Sequence, residues 1–201
     1  MKILIINAHL NYPNWSEGTL NKAMVENATS FFTELGHEVV ETNIEQGYDP
    51  ESEVQKHVDA DMVLLQTPIN WFRAPWIYKK YVDEVFNVGL HSKIFLNNDG
   101  RTRKDPGRQY GTGGHMQGKT LMIAATWNAP KEAFNNPDGI LFGGKTREDL
   151  LLNITSNYKF VGYDILPDYG VFDIFKDNAD IVGDLEGYVR HLESHIPMLV
   201  A

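Results

Sequence analysis

Cysteine is absent from the 201 residues. That excludes a disulfide frame, a thiolate nucleophile and a zinc–thiolate site, and no oxidising compartment is needed to explain stability. Basic residues are also few: 18 Lys and Arg against 27 Asp and Glu give a net charge of -9. Such a charge repels phosphate backbones at long range and argues against nucleic-acid binding. No apolar run approaches the ~20 residues that cross a bilayer, so membrane insertion is not expected. The opening run Met1-Lys2-Ile3-Leu4-Ile5-Ile6-Asn7 is too brief for a secretory segment and lacks a small-residue cleavage site. It reads as a strand of a cytoplasmic protein. A G-x-G-x-x-G string is missing too, which removes the Rossmann dinucleotide fingerprint.

What is present points to one domain over 1–201: hydrophobic residues make up 42% and charged ones 22%, enough for a sizeable core. Near-continuous apolar runs at 2–7, 61–66 and 119–126 suit parallel strands covered on both faces. The more alternating 37–43 suits an edge. Helical spacing over 18–35, 51–60, 75–87, 146–160 and 178–195 alternates with these runs, predicting an α/β fold with a parallel sheet. A fifth strand fits 163–172, with Pro167 marking a bulge or an edge. The longest irregular stretch, about 97–118, is rich in Gly, Arg and Lys, and such loops are usually functional.

Two stretches carry chemistry. After the first strand, residues 8–19 lead into a helix whose N-terminus offers unpaired N–H groups, so Ser16, Gly18 and Thr19 are placed to hold phosphate without a cation. Ser16 as an ordinary N-cap is the competing reading. After the third strand, Gln66-Thr67-Pro68-Ile69-Asn70-Trp71-Phe72-Arg73-Ala74-Pro75-Trp76 sets three large aromatics between two prolines. Proline orders the loop and aromatic faces suit stacking on a flat conjugated ring. Core or interface packing of Trp71, Phe72 and Trp76 is the alternative.

The string QTPINWFRAPWIYKKYVDEVF at 66–86, AH at 8–9, GTLNKAM at 18–24, DGRTRKDPGRQYGTGG at 99–114 and TWNAPKEAF at 126–134 resemble the bacterial modulator-of-drug-activity-B family. These are NADPH quinone reductases, grouped with the flavodoxin-like enzymes that include the mammalian two-electron reductase. The resemblance covers nearly the whole chain. It implies a flavodoxin-like five-stranded parallel sheet with helices on both faces. It also implies FAD at the sheet's carboxyl edge, NADPH as electron donor, a quinone substrate, and a homodimer with sites at the interface.

By position, His9, Ser16, Gly18, Leu20, Asn21 and Ala23 would surround the pyrophosphate and adenosine, and Pro68, Ile69, Asn70, Trp71 and Phe72 the flavin ring. Thr126, Trp127 and Asn128 match the second flavin loop. Tyr110 and Gly111 would reach across the dimer to the partner's flavin. The long first loop, Ala8 to Gly18, leaves room for a diphosphate and so favours FAD over FMN. Mammalian relatives carry a Tyr and a His behind a Thr-Thr-Gly-Gly turn. Here Thr126-Trp127-Asn128-Ala129-Pro130 stands instead, and that pair does not transfer. Asn128, main-chain N–H groups of the 126–128 turn and the Tyr110 hydroxyl are the catalytic candidates, acting on a flavin that carries the redox chemistry.

Three other features weigh less. Gly139 to Thr146 satisfies G-x-x-x-x-G-K-[ST], but no strand precedes it, and Thr146 with Asp149 reads better as a capping box. His191 and His195 share a helix face without a third metal ligand. Arg101, Arg103, Lys104 and Arg108 form the one dense basic cluster; it suits the 2′-phosphate of NADPH, a flavin phosphate, or solvated loop charge equally. The expected activity is ping-pong hydride transfer from NADPH to a quinone. The competing expectation is a flavodoxin-like regulator or electron carrier that docks on a protein. The 97–118 loop, expected to cover the flavin, disfavours the carrier.

Overall fold

The structure is a computed structural model that describes residues 1–196; Pro197, the expected stop after the last helix, lies outside the described residues. Strands β1 (Lys2–Asn7), β2 (Glu38–Asn43), β3 (Met62–Pro68) and β4 (Thr120–Thr126) alternate with helices α1 (Thr19–Glu34), α2 (Pro50–Asp59) and α3 (Trp76–His91). Helix α4 (Arg147–Val161), two short strands β5 (Asp164–Ile165) and β6 (Tyr169–Val171), and helix α5 (Ile181–His195) follow. The β1 side chains explain the layering. Ile3 and Ile5 pack to one face among α1 and α5 residues such as Met24, Phe32 and Leu192. Leu4 and Ile6 pack to the other face with Val54, Tyr81 and Ile154 of α2, α3 and α4. A strand apolar on both faces is stable only between two helix layers.

The sheet order is β2-β1-β3-β4, with β5 and β6 both alongside β4, all pairs parallel. β2 lies at an edge, as its alternating pattern predicts. The single fifth strand expected over 163–172 is divided. Leu121 faces Ile165 and Ala124 faces Tyr169, so three residues around Pro167 oppose two of β4. Pro167 brings no N–H to the ladder, and the extra residue makes the bulge.

Chain order reverses between β1 and β3, and in such sheets a crevice opens beyond the carboxyl ends of the strands at that switch point. The 97–118 loop occupies the opposite edge. It leads into the amino end of β4 and packs on the last turn of α4, where the Met116 N–H donates to the Val161 carbonyl at 2.9 Å. Gly114 lies so close to the Val161 main chain that no side chain fits. Tyr110 rests on Phe160, ring centroids 5.3 Å apart.

Beneath α2, His57 is fully buried, with the Tyr81 and Tyr163 hydroxyls each 3.1 Å from its ring nitrogens. Glu53 beside it accepts from the hydroxyls of Thr42 and Tyr81.

Candidate functional site

A cleft of about 810 Å³ opens at the carboxyl edge, between the segments that follow β1, β3 and β4. That volume suits a drug-sized or larger ligand. Its first wall is the start of α1. Tyr12 and Ser16 close the preceding loop with reciprocal main-chain hydrogen bonds of 2.9 and 2.8 Å, and His9 stands at 3.1 Å from the Ser16 carbonyl. Ser16 is not the helix cap. Gly18 is, in the left-handed region at φ 80°, and no side chain caps α1. A Cβ on Gly18 would meet the His9 ring at 2.6 Å, so only glycine lets the helix start here. Gly18, Leu20, Asn21 and Ala23 line the cleft with Ser16. His9 lies behind them as a buttress. The Asn21 side chain also accepts from Gln66 at 2.9 Å, tying α1 to β3.

The second wall follows β3. Pro68, Ile69, Asn70, Trp71 and Phe72 all face the cleft. Asn70 and Arg73 pair as an isolated antiparallel bridge, with Trp71 at φ 49° and Phe72 at φ 67° between them. Trp71 is 88% exposed and Phe72 44%, rings left open at the mouth. The Ile69 N–H donates to the Thr126 carbonyl at 2.9 Å, which joins this wall to the third.

The third wall is Thr126, Trp127 and Asn128. One sequence expectation is corrected here: the Trp127 N–H is already committed to the Val171 carbonyl at 2.8 Å and cannot serve a ligand. Asn128 is exposed at the mouth. Asn70 Nδ2, Thr126 Oγ1 and Trp127 Nε1 are buried without any hydrogen-bond partner. A buried unpaired donor costs about 1–3 kcal/mol; other buried side-chain groups, Gln66 Oε1 and the Tyr78 hydroxyl among them, are also unpaired among the described residues, but these three belong to residues that line the cleft.

Sequence reasoning missed a fourth wall. Leu141 and Phe142, inside the P-loop-like string, line the cleft, as do Ile174, Phe175 and Ile181. Phe142 stacks on Phe134 at 5.0 Å and meets Phe72 edge-on at 5.8 Å. The string is therefore an apolar flap, not a phosphate cradle, and Thr146 with Asp149 forms the expected capping box. The apolar triplet Ile140-Leu141-Phe142 was the available signal, since apolar side chains gain nothing in a phosphate loop.

Tyr110 and Gly111 are not in this cleft. They sit at the amino edge of the same sheet, and the 97–118 loop does not cover the cleft of its own chain, contrary to expectation. His191 and His195 lie ring to ring at 4.2 Å, each near a main-chain carbonyl. Among the described residues no cluster of three potential metal ligands occurs.

An open parallel sheet of order 2-1-3-4-5, with an aromatic-walled crevice at its switch point and an uncapped first helix facing it, defines a flavodoxin-like protein. The comparisons agree. A family model described as the flavodoxin-like fold matches residues 1–195. The NADPH:quinone oxidoreductase MdaB of Haemophilus influenzae is 39% identical over 193 residues, covering 96% of this chain and 98% of that one. An uncharacterised Schizosaccharomyces pombe protein is 38% identical over 88% of each chain. Among solved structures, a candidate quinone reductase from Klebsiella pneumoniae superposes with TM-score 0.77 at 23% identity, covering 96% of this chain and 84% of that one. General stress protein 14 of Treponema denticola, solved with FMN, superposes with TM-score 0.66 at 18% identity over 96% and 98%. The chain belongs to the flavodoxin-like family and, within it, to the modulator-of-drug-activity-B group.

Proposed function

We propose that this protein is a flavin-dependent NADPH:quinone oxidoreductase that reduces quinones by two electrons. The observation that carries the reading is the three unpartnered polar groups of Asn70, Thr126 and Trp127 inside an apolar cleft with an uncapped helix start at one end. The residues present fit a flavin: an apolar, aromatic-walled slot for the ring, hydrogen-bonding groups for its polar edge, and free N–H groups at Gly18 to Asn21 for phosphate. Bound flavin supplies the redox chemistry, taking hydride equivalents from a nicotinamide and passing them to a quinone.

The protein's own work is positioning. Trp71 and Phe72 present ring faces at the mouth, where a flat donor or acceptor stacks. Asn128 offers its amide at the same mouth. Phe142, Phe134 and Trp127 keep water from the slot. FAD is favoured over FMN because the closed Tyr12–Ser16 loop extends the phosphate wall. One slot admits NADPH or quinone but not both, so the kinetics are ping-pong. A homodimer brings Tyr110 and Gly111 of a second copy to the cleft, since within one chain they sit at the far edge. The protein acts in the cytoplasm.

An open cleft also suits the alternative, a one-electron carrier docking on a protein. Steady-state NADPH oxidation with menadione separates the two: flavin-loaded protein is expected to turn over with parallel initial-velocity lines, and absence of turnover removes the enzyme reading. Chromatography of the heat-released yellow compound identifies FAD or FMN.

A further inference from the structure

The cleft poses a charge problem. NADPH carries a 2′-phosphate beyond what NADH has, yet the cleft walls hold no Lys, Arg or His, and their one charged side chain is the carboxylate of Glu17. The chain as a whole is at -9. A cation that reads the extra phosphate must therefore come from outside the cleft.

The one dense basic cluster is the tip of the 97–118 loop, and its four cations are not equivalent. Arg101 is held by the Asp99 carboxylate, with Nε at 3.0 Å, and lies over the Tyr110 ring at 5.2 Å. Arg108 donates to the hydroxyl and the carbonyl of Thr112 at 3.1 and 2.8 Å. Arg103 and Lys104 form no ion pair among the described residues. They occupy the two central positions of a turn whose ends, Thr102 and Asp105, are hydrogen-bonded at 3.2 Å, and both residues are exposed. The apex is backed by a rigid base: Gly100, Gly113 and Gly114 are each packed too closely for a side chain. The loop is therefore an ordered arm with two adjacent free cations at its end.

The arm cannot serve its own cleft. It is anchored at the amino edge, about 20 Å from the carboxyl edge at ~3.3 Å per strand residue. It can serve the cleft of a second copy. We infer that Arg103 and Lys104 of one copy bind the 2′-phosphate of NADPH held in the cleft of the other, and so set the preference for NADPH over NADH. Arg supplies a planar fork matched to phosphate oxygens and Lys a point charge beside it. The inference rests on the proposed oxidoreductase function.

The test is the holoenzyme carrying Arg103→Ala and Lys104→Ala, assayed with menadione and each donor in turn. A rise of about tenfold or more in the KM for NADPH, with kcat and all NADH constants unchanged, is expected for the loss of two charge-assisted contacts. By calorimetry, wild type binds 2′,5′-ADP more tightly than 5′-AMP and the variant binds both alike. Mixing this variant with Trp71→Ala chains creates sites that combine wild-type flavin affinity with a low KM for NADPH, a combination neither variant has alone, at up to about a quarter of all sites in randomly paired dimers.

An equal loss with both donors makes the arm structural and overturns the inference, as does an undiminished NADPH preference. Absence of such sites from the mixed chains overturns action across copies. A wild type inactive with either donor removes the oxidoreductase reading instead, and the 2′,5′-ADP comparison still decides whether the arm reads the phosphate.

Discussion

Asn70 and Arg73 exchange main-chain hydrogen bonds of 2.8 and 3.1 Å, closing a two-residue turn whose central positions, Trp71 and Phe72, both hold positive φ. A turn of this kind normally takes Asn-Gly, and bulky residues there are strained by about 1–3 kcal/mol each. The strain holds two aromatic rings at the cleft mouth, where the chain itself scarcely packs Trp71. Trp71→Gly is accordingly expected to melt no lower than Trp71→Ala in flavin-free protein, reversing the usual order of the two residues. Both variants lose about tenfold in flavin affinity, on the order of 1 kcal/mol or more for a stacked aromatic. Thermal melts and flavin titrations check this; an Ala variant more stable than the Gly variant would contradict the strain.

Gly18 and His9 offer a second test. Gly18→Ala places a methyl against the His9 ring and forces a side chain into the left-handed region. The expected loss is about 1–3 kcal/mol of stability, together with flavin retention. His9→Ala in the same chain should recover the part due to the clash but not the part due to φ, an interaction a double-mutant cycle in urea measures.

Thr126→Val probes a hydroxyl buried without a partner. Removing an unpaired polar group from a core is neutral or stabilising. Flavin-free Thr126→Val should therefore unfold at the same or higher urea concentration than wild type, while its affinity for flavin falls about tenfold, the worth of one hydrogen bond made on binding. A destabilised flavin-free variant would mean the hydroxyl already has a partner.

His57 makes stability pH-dependent. Burial first, then the charges of Lys119 and Lys56, lower its pKa to about 3. The unfolded chain binds the proton near pH 6.5 and the folded chain does not until about 3. Stability is thus full above 6.5 and declines as pH falls, by up to about 1.4 kcal/mol per unit within that window. Carboxylates titrate in its lower part, so the measurement is a difference: His57→Gln should show a flatter profile than wild type between pH 7 and 5.5 in urea unfolding. Parallel profiles would show that another group carries the dependence.

Much of this was legible without coordinates. Apolar runs such as Ile3–Ile6 and Met62–Leu65 suit strands covered on both faces, and their alternation with helical periods leaves few topologies. Thr146 with Asp149 announced a helix start. The split at Pro167 was signalled by a residue that cannot donate to a ladder. The competing reading of Ser16 as a helix cap rested on the usual habit of a serine before a helix; the structure gives that place to Gly18 and leaves Ser16 in the cleft wall. The apolar triplet at 140–142 spoke against a phosphate loop, but which wall Leu141 and Phe142 join depends on their packing against Phe72 and Phe134, which local spacing does not encode.

The sequence alone determined the sheet, its two helix layers, the aromatic turn and the acidic charge, since each follows from side-chain period, backbone preference or simple counting. Tertiary structure decided what faces what. It withdrew the Trp127 N–H from the ligand, left the Asn70, Thr126 and Trp127 side-chain groups without partners, and carried Tyr110 to the edge opposite the cleft. Those outcomes depend on contacts between residues far apart in the chain, which packing settles and local sequence does not encode.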